Sequence, residues 1–341
     1  MRVAMYYNNN DVRLEEMPVP EIGPDELLVK VIASGICGSD VLEWYRIKKA
    51  PRVLGHEIAG DIVNVGKNVK KFKSGDRVFV SHHVPCNTCH YCIFGHHTAC
   101  ETLHTTNFDP GGFSEYIRVP SINVDRGTFI LPDNVSYEEG SFVEPLGCVL
   151  RGQRIAGLKP GQTILIIGSG ISGCLHIKLA CALGAGKIIA TDINSFRMEM
   201  ARKFGADFVF DGKEYSPDML KDVNNGRLAD LVILCTGALS AAYQALESVD
   251  RGGTIMFFAV PHPDDKLLIP INEFWRNEIT LVTSYAVNIN DVVETIELLS
   301  AKRVNVVDMI THRLPLAKTG EGFILVAKAD KSMKVIIEPQ K

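Results

Sequence analysis

Short apolar runs recur along the chain, and what lies between them changes near residue 159. Before that point the runs 26–33, 58–65, 77–80 and 113–119 are separated by turn sequences such as GPDE (23–26), KSGD (73–76) and DPGG (109–112). β-type runs divided by Gly, Pro and Asp predict an irregular, mostly β region. From Lys159 onward the runs TILIIG (163–168), KIIATD (187–192), ADFVFD (206–211), LADLVILCTG (228–237), GGTIMFFAV (252–260) and ITLVTSY (279–285) alternate with helix-length segments. That alternation predicts βαβ units and a parallel sheet. Beyond Asn290, DVVETIELLSAKRV predicts a helix and KVIIEP a final strand. The pattern predicts an α/β chain of two domains. A β-rich domain spans 1–147, residues 286–341 return to it, and a doubly wound parallel-sheet domain is inserted at 148–285.

Composition narrows the partners. With 36 basic against 40 acidic residues and a net charge of −4, the chain is not built for nucleic acid or an anionic membrane. No apolar run approaches the ~20 residues of a membrane span. The start of the chain, MRVAMYYNNNDVRLEEMP, lacks the apolar core of a signal peptide. A cytoplasmic protein is expected. Four of the nine cysteines fall between Cys86 and Cys100. Such clustering favours a metal site in a reducing compartment over a disulfide framework.

Gly168-x-Gly170-x-x-Gly173 follows an apolar strand directly, and Ile171 opens a helix pattern. Glycines at this spacing allow a tight turn, backbone approach to a pyrophosphate and close helix–strand packing. The helix N-terminus then faces the phosphate charge. The next strand ends in Asp192, where a carboxylate accepts hydrogen bonds from ribose hydroxyls. Dinucleotide binding follows. Asp192 repels a 2′-phosphate, so NAD is preferred over NADP, with Arg197 as the counter-argument.

Cys86-x-x-Cys89-x-x-Cys92-x7-Cys100 can enclose one ion completely. Four thiolates leave zinc no open position, so this set reads as a structural staple. His90, His96 and His97 among them read as solvated loop residues. A second set is dispersed: Cys37 in ICGSD, His56 and Glu57 in LGHEIAG, and Glu144 in SFVEPLG. One thiolate, one imidazole and a carboxylate would neutralise Zn²⁺ and leave a position open for substrate.

Together CGSD (37–40), GHE (55–57), GDRV (75–78), the cysteine lobe, GGFSEY (111–116), EPL (144–146) and the GSGISG turn resemble the zinc-dependent medium-chain dehydrogenase/reductase family, the alcohol and sorbitol dehydrogenases. The resemblance covers essentially the whole chain. It implies a GroES-like β-rich catalytic domain with an inserted Rossmann domain, and two zinc ions per chain. Cys37, His56 and a carboxylate, Glu57 or Glu144, would hold the catalytic ion. Ser39 would act as the relay hydroxyl, and Thr236, Val260 and Ser284 would contact the nicotinamide. It further implies hydride transfer between NAD and a secondary alcohol (a polyol, sugar or related hydroxy compound) in a homodimer or homotetramer. A threonine, diol or simple alcohol dehydrogenase is the alternative within the family. A non-catalytic dinucleotide- or nucleic-acid-binding relative is the alternative outside it.

Two departures bear on this. Leu42 stands where many relatives carry a relay His, with Glu43 beside it as a candidate substitute. Ser284-Tyr285 replaces the Arg-Tyr pair of sorbitol dehydrogenases, which weakens the case for sorbitol itself. Trp44 and Phe113 are candidates for the substrate cleft or for the core.

Overall fold

The computed structural model describes residues 1–259 and 261–341; Val260, a candidate nicotinamide contact, lies outside the described residues. The chain divides into two compact units, Met1–Gly147 with Ala286–Lys341, and Cys148–Tyr285.

The first unit carries β1 (Arg2–Asn8), β2 (Asp11–Glu16), β3 (Leu27–Gly35), β4 (Arg52–Val53), β5 (Glu57–Val65), β6 (Arg77–Val80), β7 (Tyr116–Val119) and β8 (Thr128–Ile130). The second carries β9 (Thr163–Ile167), β10 (Lys187–Asp192), β11 (Phe208–Asp211), β12 (Ala229–Leu234), β13 (Val249–Phe257) and β14 (Thr280–Thr283). Then β15 (Ile310–Pro315) and β16 (Lys334–Glu338) belong to the first unit again.

In the first unit one sheet runs β15-β16-β3-β5-β6-β8, with β7 also paired to β3, and a smaller sheet runs β2-β1-β4. Alternation explains the central strand. Leu27, Val29, Val31 and Ala33 of β3 are buried, and Lys30 and Ile32 between them are only partly so. Their inward side chains join Ile58, Ile62, Val78 and Val80 in one apolar cluster. The register has a consequence for chemistry. Gly35, the last residue of β3, pairs with Glu57 on β5 and with Ile336 on β16. The segment beginning at Cys37 therefore leaves the sheet beside Glu57 and beside the first residues of β16.

The second unit holds a six-stranded parallel sheet in the order β11-β10-β9-β12-β13-β14. Strands buried on both faces read as unbroken apolar runs, and Thr163–Ile167 is buried throughout. The strand order reverses between β9 and β12, the switch point at whose carboxyl end ligands bind in open α/β sheets.

The expected α/β architecture is present, and boundaries move for local reasons. The 113–119 run becomes a strand only at Tyr116, because Ser114 Oγ donates to the carbonyls of Gly111 and Tyr116 and bends the chain before it. The 228–237 run stops at Leu234, where the chain turns away over the glycine loop. β13 starts early, at Val249, and absorbs the extra residues in a register shift against β12. No helix among the described residues is long and apolar enough to cross a membrane.

Candidate active site

The CGSD segment folds into a box. Cys37 caps a short 3₁₀ turn, Gly38–Val41, with its Sγ accepting from the Ser39 N–H at 3.4 Å. Asp40 closes the box by accepting from the Cys37 N–H at 3.1 Å. The turn presents Cys37 Sγ to His56 and Glu57, and one ligand atom from each lies within 4.8 Å of the others. Thiolate, imidazole and carboxylate are the donor set of an open zinc site, so these residues fit that ion. Glu144 is buried on the helix Val143–Ile155 but lies outside this cluster.

Asp40 is fully buried, and its Oδ1 lies 3.4 Å from His56 Nδ1. A carboxylate on one ring nitrogen fixes the tautomer and turns the other nitrogen towards a metal. Burial opposes charge on His56, but the negative charges of Asp40 and Cys37 outweigh it and lift its pKa well above the usual value. Glu57 is paired with Lys334; both side chains are 1% exposed, and Lys334 Nζ also donates to the Ile36 carbonyl at 3.2 Å.

Ser39 Oγ lies 3.4 Å from Cys37 Sγ. Arg46 holds it, donating from Nη2 to Ser39 Oγ and from Nε to the Ser39 carbonyl, each at 2.9 Å. His82 completes the surroundings, its ring 4.8 Å from that of His56 and its Nδ1 enclosed without a hydrogen-bond partner among the described residues. Asp40, Arg46, His82 and Lys334 were not singled out in the sequence. Asp40 alone carried a signal there, inside CGSD; Lys334 is 277 residues away from Glu57, its partner.

The sulfurs of Cys86, Cys89, Cys92 and Cys100 also converge within 4.8 Å, with Cys86–Cys92 at 4.0 Å and Cys89–Cys92 at 3.6 Å. Zinc bound to thiolates at about 2.3 Å in a tetrahedron sets sulfurs about 3.8 Å apart. The four therefore fit one closed site. Hydrogen bonds from Thr88 and Cys89 to its sulfur pull the Cys86 pKa down to about 5, which favours the ligating thiolate. His90, His96 and His97 are outside the group.

In the second unit Gly168, at φ +92°, turns the chain out of β9. A Cβ on Gly173 would sit 1.9 Å from the Gly168 carbonyl oxygen, so only glycine fits there. The helix Ile171–Ala182 starts at once, capped by Gly170, and its first N–H groups are free for an anion. Asp192 accepts from the Ser169 N–H at 2.7 Å and from the Asn194 N–H at 2.9 Å. Its remaining lone pairs can take ribose hydroxyls. Arg197 Nη1 lies 4.0 Å from Asp192, and its guanidinium packs over Gly170. Thr236 abuts Gly168 from the end of β12, and Ser284 follows β14 with a buried hydroxyl lacking a partner among the described residues. This arrangement fits a dinucleotide.

The remaining candidates divide. Phe113 is core, 1% exposed and packed edge-on against Phe323, and does not line a cleft. Trp44 is half-buried against Tyr45. Glu43 is exposed and ties down the Asn9 N–H at 3.0 Å, a loop-fastening role.

Comparison with known proteins agrees with both units. Residues 23–126 match the alcohol dehydrogenase GroES-like domain and residues 172–301 the zinc-binding dehydrogenase domain. Sorbitol dehydrogenase of Bacillus subtilis is 33% identical over 100% of this chain and 98% of its own. Among solved structures, galactitol-1-phosphate dehydrogenase from Escherichia coli superposes with a TM-score of 0.88 at 28% identity, covering 99% of this chain and 100% of its own. An alcohol dehydrogenase from Thermus sp. ATN1 gives the same TM-score and identity, with 99% coverage of each chain. The chain belongs to the zinc-dependent medium-chain dehydrogenase/reductase family, among its alcohol and polyol dehydrogenases.

Proposed function

We propose that the protein oxidises a secondary hydroxyl of a polyol, sugar or related hydroxy compound with NAD, and reduces the ketone in reverse. The convergence of Cys37, His56 and Glu57, with Ser39 set against the cysteine, carries this reading. Zinc held by these residues supplies Lewis acidity to the substrate oxygen, and NAD supplies the hydride acceptor. Glu144 is a reserve carboxylate for the same ion.

The chain's own groups handle the proton and the positioning. Ser39 Oγ takes the hydroxyl proton as general base within a relay. Arg46 fixes that oxygen by donating to it, so its free lone pair is left to face the substrate. Asp40 holds His56 in one orientation. Leu42 cannot carry the proton onward, so it leaves Ser39 through solvent or a cofactor hydroxyl. Cys86, Cys89, Cys92 and Cys100 hold a second zinc that orders their lobe.

On the cofactor side, Gly168, Gly170, Ile171 and Gly173 form the pyrophosphate turn, and Asp192 selects NAD by repelling a 2′-phosphate. Arg197 softens that selection. Thr236 and Ser284 are proposed contacts of the nicotinamide half. A homodimer or homotetramer in the cytoplasm completes the reading, with no nucleic acid or membrane as partner.

The test is NADH formation by the zinc-loaded protein against polyols, sugars, diols, threonine and simple alcohols, repeated with NADP. Oxidation of one polyol or sugar class, faster with NAD, is expected. Activity confined to threonine or to simple alcohols would overturn the substrate class. Silence across the panel with NAD still bound would favour a non-catalytic dinucleotide binder.

A further inference from the structure

His82 lies just beyond β6, in the same unit as Cys37, His56 and Glu57, and the metal and proton chemistry described above makes no use of it. Its ring sits 4.8 Å from that of His56, centre to centre. The backbone there is pinned. The Ser81 N–H donates to the Gly127 carbonyl at 2.7 Å, and the buried Asn123 amide donates to the carbonyls of Ser81 and His82 at 2.8 and 3.3 Å. The ring is packed as well, 3.7 Å from that of His83 and edge-on to Phe108 at 6.5 Å. It therefore has little room to turn towards a partner. Held this way, neither ring nitrogen makes a hydrogen bond among the described residues. Nδ1 is walled off, whereas the half-buried ring leaves Nε2 open.

As mere filling beside a metal cluster, an imidazole is worse than a phenyl ring, which brings no nitrogens to desolvate. His82 is not a further ligand either, because it stands outside the group of Cys37, His56 and Glu57 whose ligand atoms converge. What remains is a hydrogen bond to a molecule that enters the site. A hydroxyl suits an imidazole nitrogen in either tautomer, since it both donates and accepts. We infer that His82 is a specificity-determining residue whose Nε2 holds a second hydroxyl of the substrate, next to the one oxidised at the Cys37–His56–Glu57 cluster. A substrate with a lone hydroxyl leaves that nitrogen unpaired. The inference rests on the alcohol-oxidation reading and adds to it the residue that tells a diol or polyol from a simple alcohol.

Butane-2,3-diol and butan-2-ol differ only in the neighbouring hydroxyl, and sorbitol serves as the polyol. With the zinc-loaded enzyme and NAD, the diol is expected to exceed the mono-alcohol in kcat/KM by about tenfold, the worth of one well-placed hydrogen bond. With NADH in place of NAD neither alcohol reacts, and calorimetric titration of that complex should show a similar ratio in Kd. His82→Phe keeps a packed ring and removes the nitrogens. It should bring both ratios close to one and raise KM for sorbitol, with zinc content and unfolding midpoint unchanged. His82→Gln should recover part of the preference. Wild type that binds the two alcohols alike, or binds neither, would mean that water alone serves Nε2. That result, or a diol preference that survives His82→Phe, would overturn the inference while leaving alcohol oxidation standing. If no alcohol is oxidised, the oxidation reading fails, and the titration still decides whether His82 holds a hydroxyl.

Discussion

His56 Nδ1 lies 3.4 Å from Asp40 Oδ1, and the carboxylate that orients the imidazole is itself fully buried and locked into the Cys37 turn. In the function proposed above, this one short segment would supply a ligand, the proton acceptor and the group that aims the second ligand. Asp40→Asn keeps the shape and removes the charge. Zinc affinity, measured by chelator competition, should fall by about 10–100-fold, the usual effect of removing such a supporting group. An unchanged affinity would mean that the contact only fastens the turn.

Ser39→Ala should lower kcat by about 10²–10⁴, the range for loss of a positioned proton acceptor, with little change in zinc content. Ser39→Thr keeps the hydroxyl and should retain most activity. Arg46→Met should cost about tenfold or more and move the pH–rate profile, because the residue acts on the Ser39 oxygen. Metal analysis and pH profiles of the three variants check this.

The pairing of Glu57 with Lys334 is buried on both sides. Lys334→Met leaves the carboxylate without its partner, a change worth about 3–5 kcal/mol when a buried pair is broken from one side. Denaturant unfolding of the zinc-loaded variant should show a loss of that order. Wild-type stability would mean that the metal alone satisfies Glu57.

In the cofactor turn, Asp192→Ala should raise KM for NAD by about 10–100-fold, the worth of hydrogen bonds to a charged group. KM for NADP should rise less or fall. Arg197→Ala should act in the opposite sense, increasing the preference for NAD. The ratio of kcat/KM for the two cofactors reports both effects.

His176 gives a pH signature in the second unit. It is fully buried, and burial lowers its pKa to about 3 from a usual 6.5. The unfolded chain therefore takes up the proton first. The stability linked to this group is fully present above about pH 6.5 and is lost progressively as pH falls towards 3. His176→Asn can still accept from Gln153, which donates to Nδ1 at 3.2 Å, and does not titrate. Its acid unfolding should be shallower than wild type between pH 6 and 4, on the order of one proton fewer taken up.

Much of this was legible in the chain. The alternation after Lys159 announced the parallel sheet because strands buried on both faces leave apolar runs, and the glycine spacing marked the one turn that must lie close to a helix. The four cysteines were legible because their spacing alone closes a site. Cys37, His56 and Glu57 could be named singly, but their convergence comes from the pairing of Gly35 with Glu57, a register that local sequence does not encode. Lys334 was hidden because β16 returns from the far end of the chain. Arg46 carried no signal in the sequence, and only the structure shows it holding Ser39.

The most direct test of the account is zinc content measured together with alcohol oxidation in Cys37→Ser and Cys100→Ser. Wild type should hold two zinc ions per chain. Cys37→Ser should remain folded, hold one and be inactive, whereas Cys100→Ser should lose the other ion and chiefly stability. A Cys37→Ser protein that keeps both ions and oxidises its substrate at the wild-type rate would contradict the assignment of the Cys37–His56–Glu57 cluster as the catalytic centre.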